Sequence, residues 1–243
     1  MEQRNYQEYG VWDLPVRCFH WINVLCIIGL IAAGTVILWA KSLGIGNDGK
    51  ILMKSVHVYI GYVFAINLTV RLVWAFMGSR FARWGAILPF GKGYRAELKN
   101  YITAEKSGSP LYYQGHNPLG RLAVSVILLA LLVMAVTGLI LAGTDIYFPP
   151  FGAMIQQWVA APGVNPADVM PYVTDNLDAA AYADMRAFRK PVLQTHYWTF
   201  FVILGLIIVH IAAVIRSEIK SGGSLISAMF TGRKILPKKP EDS

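Results

Sequence analysis

Histidine placement carries the chemistry of this sequence. The chain has five histidines, His20, His57, His116, His196 and His210. His196 and His210 lie fourteen residues apart in a stretch that is otherwise apolar. Fourteen residues of α-helix rise about 21 Å and turn about 1400°, within about 40° of a whole number of turns. Both imidazoles therefore leave nearly the same helix face, one near each edge of a hydrocarbon layer about 30 Å thick. Ionisable side chains at such depths are costly and mark function. Two of them on one face suggest two cofactors at two depths.

The remaining histidines give each depth a partner. His20 opens the first apolar run and His57 starts the second, so in a chain that crosses back and forth His20 matches His210 on the inner side. His57 matches His196 on the outer side. Neutral imidazole is a strong iron ligand, and facing helices hold cofactors in a bundle core. Bis-histidine ligation suits two non-covalent haem groups, with His20 and His210 on the inner iron and His57 and His196 on the outer. Gly34, Gly61, Gly138 and Gly205 make room for a flat macrocycle, and Arg17, three residues before His20, is a candidate partner for a haem propionate. Zinc or copper chemistry wants ligands converging at one depth, often with Cys, Asp or Glu. A histidine-based metal transporter or assembly factor is thus the remote alternative.

Those positions require membrane helices, and the composition supplies them. The 243 residues are 55% hydrophobic and 15% charged, with mean hydropathy +0.46, where soluble domains carry about 25% charge. Four apolar runs, about 18–40, 55–77, 122–142 and 192–215, are each long enough to span. The expected class is an all-α membrane protein, a four-transmembrane-helix bundle with haems between helices. Residues 1–220 form the cytochrome-like domain and 221–243 a cytoplasmic tail. The first run reads as a retained helix rather than a cleaved signal.

Lysine and arginine placement gives orientation. With four spans, the N-terminus, the 78–121 loop and the C-terminus share one side, which holds 16 of the 22 basic residues, Arg4 and Lys220 among them. That puts both termini in the cytoplasm, in a multi-pass protein of the bacterial cytoplasmic (inner) membrane. The formal charge of +8 reflects this topology and contact with anionic membrane lipid, not nucleic acid. Cys18 and Cys26 form no C-x-x-C or C-x-x-C-H, so neither an iron–sulfur cluster nor a covalent haem is implied. They read as small core residues.

Trp12, Trp21, Trp39 and Trp74 fall near span ends as interfacial anchors. The 81–102 stretch suits an amphipathic helix in the headgroup layer. The outer loop, 143–191, is nearly fifty residues long, with a helix expected from about Asp175 to Phe188, capped by Thr174 or Asp175. Such a loop either docks a partner or packs on itself as a cap.

Several motifs carry a family resemblance. They are Pro15-Val16-Arg17-x-x-His20-Trp21, His57-x-x-x-Gly61, Gly115-His116-Asn117-Pro118-Leu119-Gly120, His196-x-Trp198 and His210. In that order, over roughly residues 10–220, the chain resembles the b-type cytochrome subunit of membrane-bound nickel–iron hydrogenases. It is similar more distantly to the cytochrome subunit of respiratory formate dehydrogenase. The resemblance implies an electron-transfer subunit of a quinone-linked complex. Quinone, as substrate, exchanges electrons near the inner haem, and a periplasmic partner docks outside, a hydrogenase small subunit or a c-type cytochrome. The alternative direction is quinol oxidation feeding that c-type cytochrome. The chain departs from the family in a longer 143–191 segment and in Gln194-Thr195-His196-Tyr197-Trp198. In the Gly115–Gly120 motif, Asn117 and Pro118 suit a helix start, while His116 and Asn117 are also candidates for the quinone region.

Overall fold

The computed structural model describes residues 6–221 and 224–243. Arg4 and the side chain of Lys220, both in the charge count above, lie outside the described residues. In chain order the elements are β1 (Gln7–Gly10), α1 (Leu14–Leu38), α2 (Asn47–Met77), α3 (Trp84–Ile87), α4 (Tyr94–Lys106), α5 (Pro118–Ile146), α6 (Gly152–Val159), α7 (Ala179–Ser221), α8 (Leu225–Thr231) and β2 (Arg233–Leu236). Four helices, α1, α2, α5 and α7, are long and apolar enough to cross a membrane. The all-α, four-span class read from the sequence is the observed one.

Each span begins earlier than hydropathy alone places it, because capping residues rather than apolar ones set the starts. Asp13 caps α1, its Oδ1 accepting the Val16 N–H at 3.0 Å. Asn117 caps α5 through Oδ1 and the Gly120 N–H at 2.7 Å, with Pro118 in the first helical position. Asp178 caps α7, accepting the Ala181 N–H at 2.8 Å, so the helix starts neither at Thr174 nor at Asp175. The separate helix expected before span four does not exist. Its residues join the span in one helix of 43 residues that carries Pro191 inside it. Proline there forfeits the bond to the Ala187 carbonyl, yet the helix runs through. At about 65 Å it is twice the length a hydrocarbon core requires.

The chain packs as two compact units, and each long helix contributes to both. One unit comprises the described residues of 1–21, 68–129 and 203–243, the other residues 22–67 and 130–202. In the first, the expected tail is part of the fold. β2 pairs antiparallel with β1, Gln7 opposite Leu236 through Gly10 opposite Arg233. α8 buries Ala228 against Val11, Phe81 and Trp12. Asp13 ties the start of α1 to the end of α2, since its Oδ2 also accepts from Trp74 Nε1 at 2.9 Å and the Ser79 N–H at 3.1 Å. Burial pushes the Asp13 carboxyl up, but these hydrogen bonds outweigh it and hold it below the usual carboxylate range. Within the 78–121 segment, α4 is an exposed-to-half-buried surface helix with no buried residue, in the stretch expected to be amphipathic.

In the second unit, the long 143–191 connection packs on itself. Ile155, Val159, Val169 and Met185 form a buried cluster flanked by Tyr147, Phe151, Ala160, Leu177 and Tyr182. The self-packed cap is therefore present. It still exposes Met154, Trp158, Met170 and Phe188.

Candidate haem sites

In the second unit, α2 and α7 bring His57 and His196 together, ring centres 6.4 Å apart and ring planes inclined at 70°. That separation discriminates between metal chemistries. With a metal–nitrogen bond of about 2 Å and a ring centre about 1.1 Å beyond, imidazoles on opposite sides of one iron sit about 6.3 Å apart, and tetrahedral ligands about 5 Å. The observed distance matches ligands across an iron. Among the described residues no group of three His, Cys, Asp or Glu could hold a metal ion.

The surroundings fit a macrocycle and orient its ligands. A Cβ on Gly34 of α1 would lie 3.3 Å from His57 Cε1, and one on Gly138 of α5 would lie 3.4 Å from His196 Cε1. Glycine at these two positions lets the helix backbones approach the rings. His57 Nδ1 is buried without a hydrogen-bond partner. His196 Nδ1 lies 2.9 Å from Thr137 Oγ1, and the Thr137 hydroxyl donates to the Val133 carbonyl at 2.6 Å. With its proton spent there, Thr137 accepts from His196 Nδ1–H. That tautomer leaves the Nε2 lone pair free for iron, as metal-ligating histidines generally arrange. Thr137 was not read from the sequence; one hydroxyl in an apolar run, beside Gly138, was the only signal.

The first unit brings His20 and His210 close enough to interact electrostatically. His20 Nδ1 is buried with no partner, and its ring meets Trp21 edge-on at 5.1 Å. An added Cβ at Gly205 in this unit, or at Gly61 in the other, would meet open space. Arg17 donates through Nη1 to the Phe230 carbonyl at the end of α8, while its Nε is buried and unpaired. Arg17 Nη1 is thus engaged by the C-terminal segment, while Nε is left over.

His116 packs against Trp12 with ring centres 4.7 Å apart and keeps a buried Nδ1 with no partner. Burial pushes its imidazole down to about 3, and Lys234, Arg71, His210 and Arg121 add to the shift, so it is neutral at pH 7. The backbone before it is clamped from both signs of charge. Asp242 accepts the Gln114 and Gly115 N–H groups at 2.6 and 2.8 Å, and Lys234 Nζ donates to the Tyr113 carbonyl at 2.8 Å. Burial pulls the Lys234 ammonium down to about 8 against the opposing pull of Asp242. Asn117 has its oxygen on Gly120 and its Nδ2 on Tyr101 OH at 3.0 Å. Its capping role is filled.

Comparison with known proteins then decides the family. Residues 11–232 match the family described as prokaryotic cytochrome b561. The chain belongs to that family. Membership makes it a multi-pass b-type cytochrome of the bacterial cytoplasmic membrane and implies haem b as its cofactor. The chain is 30% identical to the probable Ni/Fe-hydrogenase B-type cytochrome subunit of Rhizobium leguminosarum bv. viciae, covering 97% of this chain and 92% of that one. It is 27% identical to the subunit of the same description from Cupriavidus necator, over 91% and 85%. It is 26% identical to the probable Ni/Fe-hydrogenase 1 B-type cytochrome subunit of Escherichia coli K12, over 96% and 94%. No solved structure matches the chain.

Proposed function

We propose that this cytochrome carries electrons across the cytoplasmic membrane between a periplasmic hydrogenase, docked through its small subunit, and the quinone pool. His57 and His196 hold one haem b, and His20 and His210 a second. The observation that carries the reading is the 6.4 Å separation of the His57 and His196 rings, the spacing of two imidazoles across one iron. The names borne by the relatives support a hydrogenase partner. The basic residues on the side of both termini support a cytoplasmic His20–His210 unit.

Bound haem supplies a one-electron ferric–ferrous couple at each pair. The protein's part is to fix the ligands and their surroundings. Gly34 and Gly138 admit close backbone approach at one pair. Thr137 sets the His196 tautomer. The apolar helices exclude water, and the cap over residues 143–191 covers the periplasmic end and presents its exposed Met154, Trp158, Met170 and Phe188 to the partner. In the other unit, neutral His116 would bond a quinone oxygen, a reading supported by its unpaired Nδ1 beside Trp12, whereas Asn117 serves mainly to start α5.

Reduced-minus-oxidised spectra of the purified protein test the haem assignment, and haem content of two per chain is expected. No b-type α-band would sink it. Co-purification tests the partner. Recovery of a c-type cytochrome in place of hydrogenase subunits would overturn the hydrogenase assignment and reverse the direction of flow.

A further inference from the structure

Lys54, Asp145 and Arg189 form an ion cluster with two positive charges and one negative. Lys54 Nζ meets Asp145 Oδ2, Arg189 Nη2 lies 2.7 Å from Asp145 Oδ1, and Lys54 also donates to Tyr172 OH at 2.5 Å. The three charged side chains are only 16%, 24% and 19% exposed for Lys54, Arg189 and Asp145. Arg189 Nε is buried with no partner among the described residues. Withdrawing charge from water is costly unless it is paired and hydrogen-bonded. A device that only stitched helices together needs one cation for its carboxylate. The second cation and the orphaned N–H call for a further acceptor.

The helices say where that acceptor belongs. Lys54 is three residues before His57 on α2, about 4.5 Å along the axis. Arg189 is seven before His196 on α7, about 10.5 Å, and Asp145 is eight beyond Thr137 on α5, about 12 Å. Of the four helices that touch the His57–His196 pair, three, α2, α5 and α7, each supply one member of the cluster. Lys54-x-x-His57 also repeats the spacing of Arg17-x-x-His20. We infer that Lys54 and Arg189 form a carboxylate-binding site for a propionate of the haem held by His57 and His196. Asp145 holds the two cations in place between helices. The inference rests on the bis-histidine reading of that pair.

Redox-difference infrared spectra of the full-length protein, carrying haem labelled with carbon-13 at its propionate carboxyls, test it. Lys54→Gln and Arg189→Gln should each shift the labelled carboxylate bands. Each should also lower the midpoint potential of the haem that His57→Ala removes, because a lost cation favours the ferric state. Lys41→Gln, an exposed lysine outside the cluster, should change neither. Lys54→Arg and Arg189→Lys keep the charge and should leave both haems bound, so the measurement survives if a neutral variant fails to assemble. Labelled bands that stay at their wild-type positions in every cluster variant overturn the inference. A wild-type protein without a b-type α-band overturns the bis-histidine reading, which the optical spectrum shows before any infrared measurement.

Discussion

The two units hold their histidine pairs in opposite settings. Around His57 and His196 the neighbours are glycine, one threonine and apolar helix, and the charges gather in one tight cluster of Lys54, Asp145 and Arg189. The unit that holds His20 and His210 also holds a set of titratable groups. His116, Lys234 and Asp242 share that unit with Tyr101 and Tyr113, and β1 and β2 pair within it. Burial pushes the Tyr113 hydroxyl up to about 12, helped by Glu97, Glu241 and Asp242, so it keeps its proton. A site that passes only electrons needs fixed ligands and little else. A site that exchanges protons with a quinone needs neutral, protonatable groups nearby. The contrast matches the proposed division of labour.

Ligand removal gives the largest test of that contrast. His57→Ala and His196→Ala should each halve the haem content and abolish the same spectral component. His20→Ala and His210→Ala should abolish the other. Loss of different components from His57→Ala and His196→Ala would break the pairing.

Asp13→Ala should act on one unit alone. It removes a helix cap and two further hydrogen bonds, which together stabilise by about 2 kcal/mol. Thermal loss of the His20–His210 haem should come at lower temperature, with the His57–His196 haem less affected. Because Asp13 titrates below the usual range, its contribution is complete at neutral pH and is lost only as pH falls through that depressed value.

Thr137→Val should do the converse. It takes the acceptor from His196 Nδ1–H, makes the imidazole a weaker base and raises one midpoint potential. At about 1 kcal/mol the shift is on the order of 40 mV. Thr137→Ser should restore the wild-type potential, and an equal shift in both haems would refute a local role.

The smallest effect is expected from protonation of His116. The unfolded chain takes up this proton near pH 6.5 and the folded one only near 3, so the residue opposes folding increasingly as pH falls below about 6.5. Between pH 7 and 8 it should contribute nothing, and His116→Gln should leave both haem contents at wild-type levels. A step in haem potential between pH 7 and 8 that disappears in His116→Gln would contradict its neutrality.

Four spans and the approach of His57 to His196 were legible because hydropathy and helical period are local signals. The span starts were less so. Asp13 and Asp178 cap through side-chain geometry that an apolar window averages away, and Pro191 reads as a break although α7 runs through it. Thr137 and the Lys54–Asp145–Arg189 cluster escaped for another reason. Each is defined by contacts between helices distant in sequence, and Asp145 lies beyond the apolar run although α5 continues past it. The β1–β2 pair was hidden the same way, in polar ends too short to show a period.

That pair also orders the protein's manufacture. β1 is made before the four spans, and its partner β2 only after them. The register of Gln7 with Leu236 therefore cannot form until all four spans have been synthesised. The His57–His196 unit is complete by residue 202 and can close during synthesis, while the His20–His210 unit stays open to the last. Assembly thus has a built-in sequence, and a chain stalled once residue 202 has emerged from the ribosome should display one finished half and one unfinished.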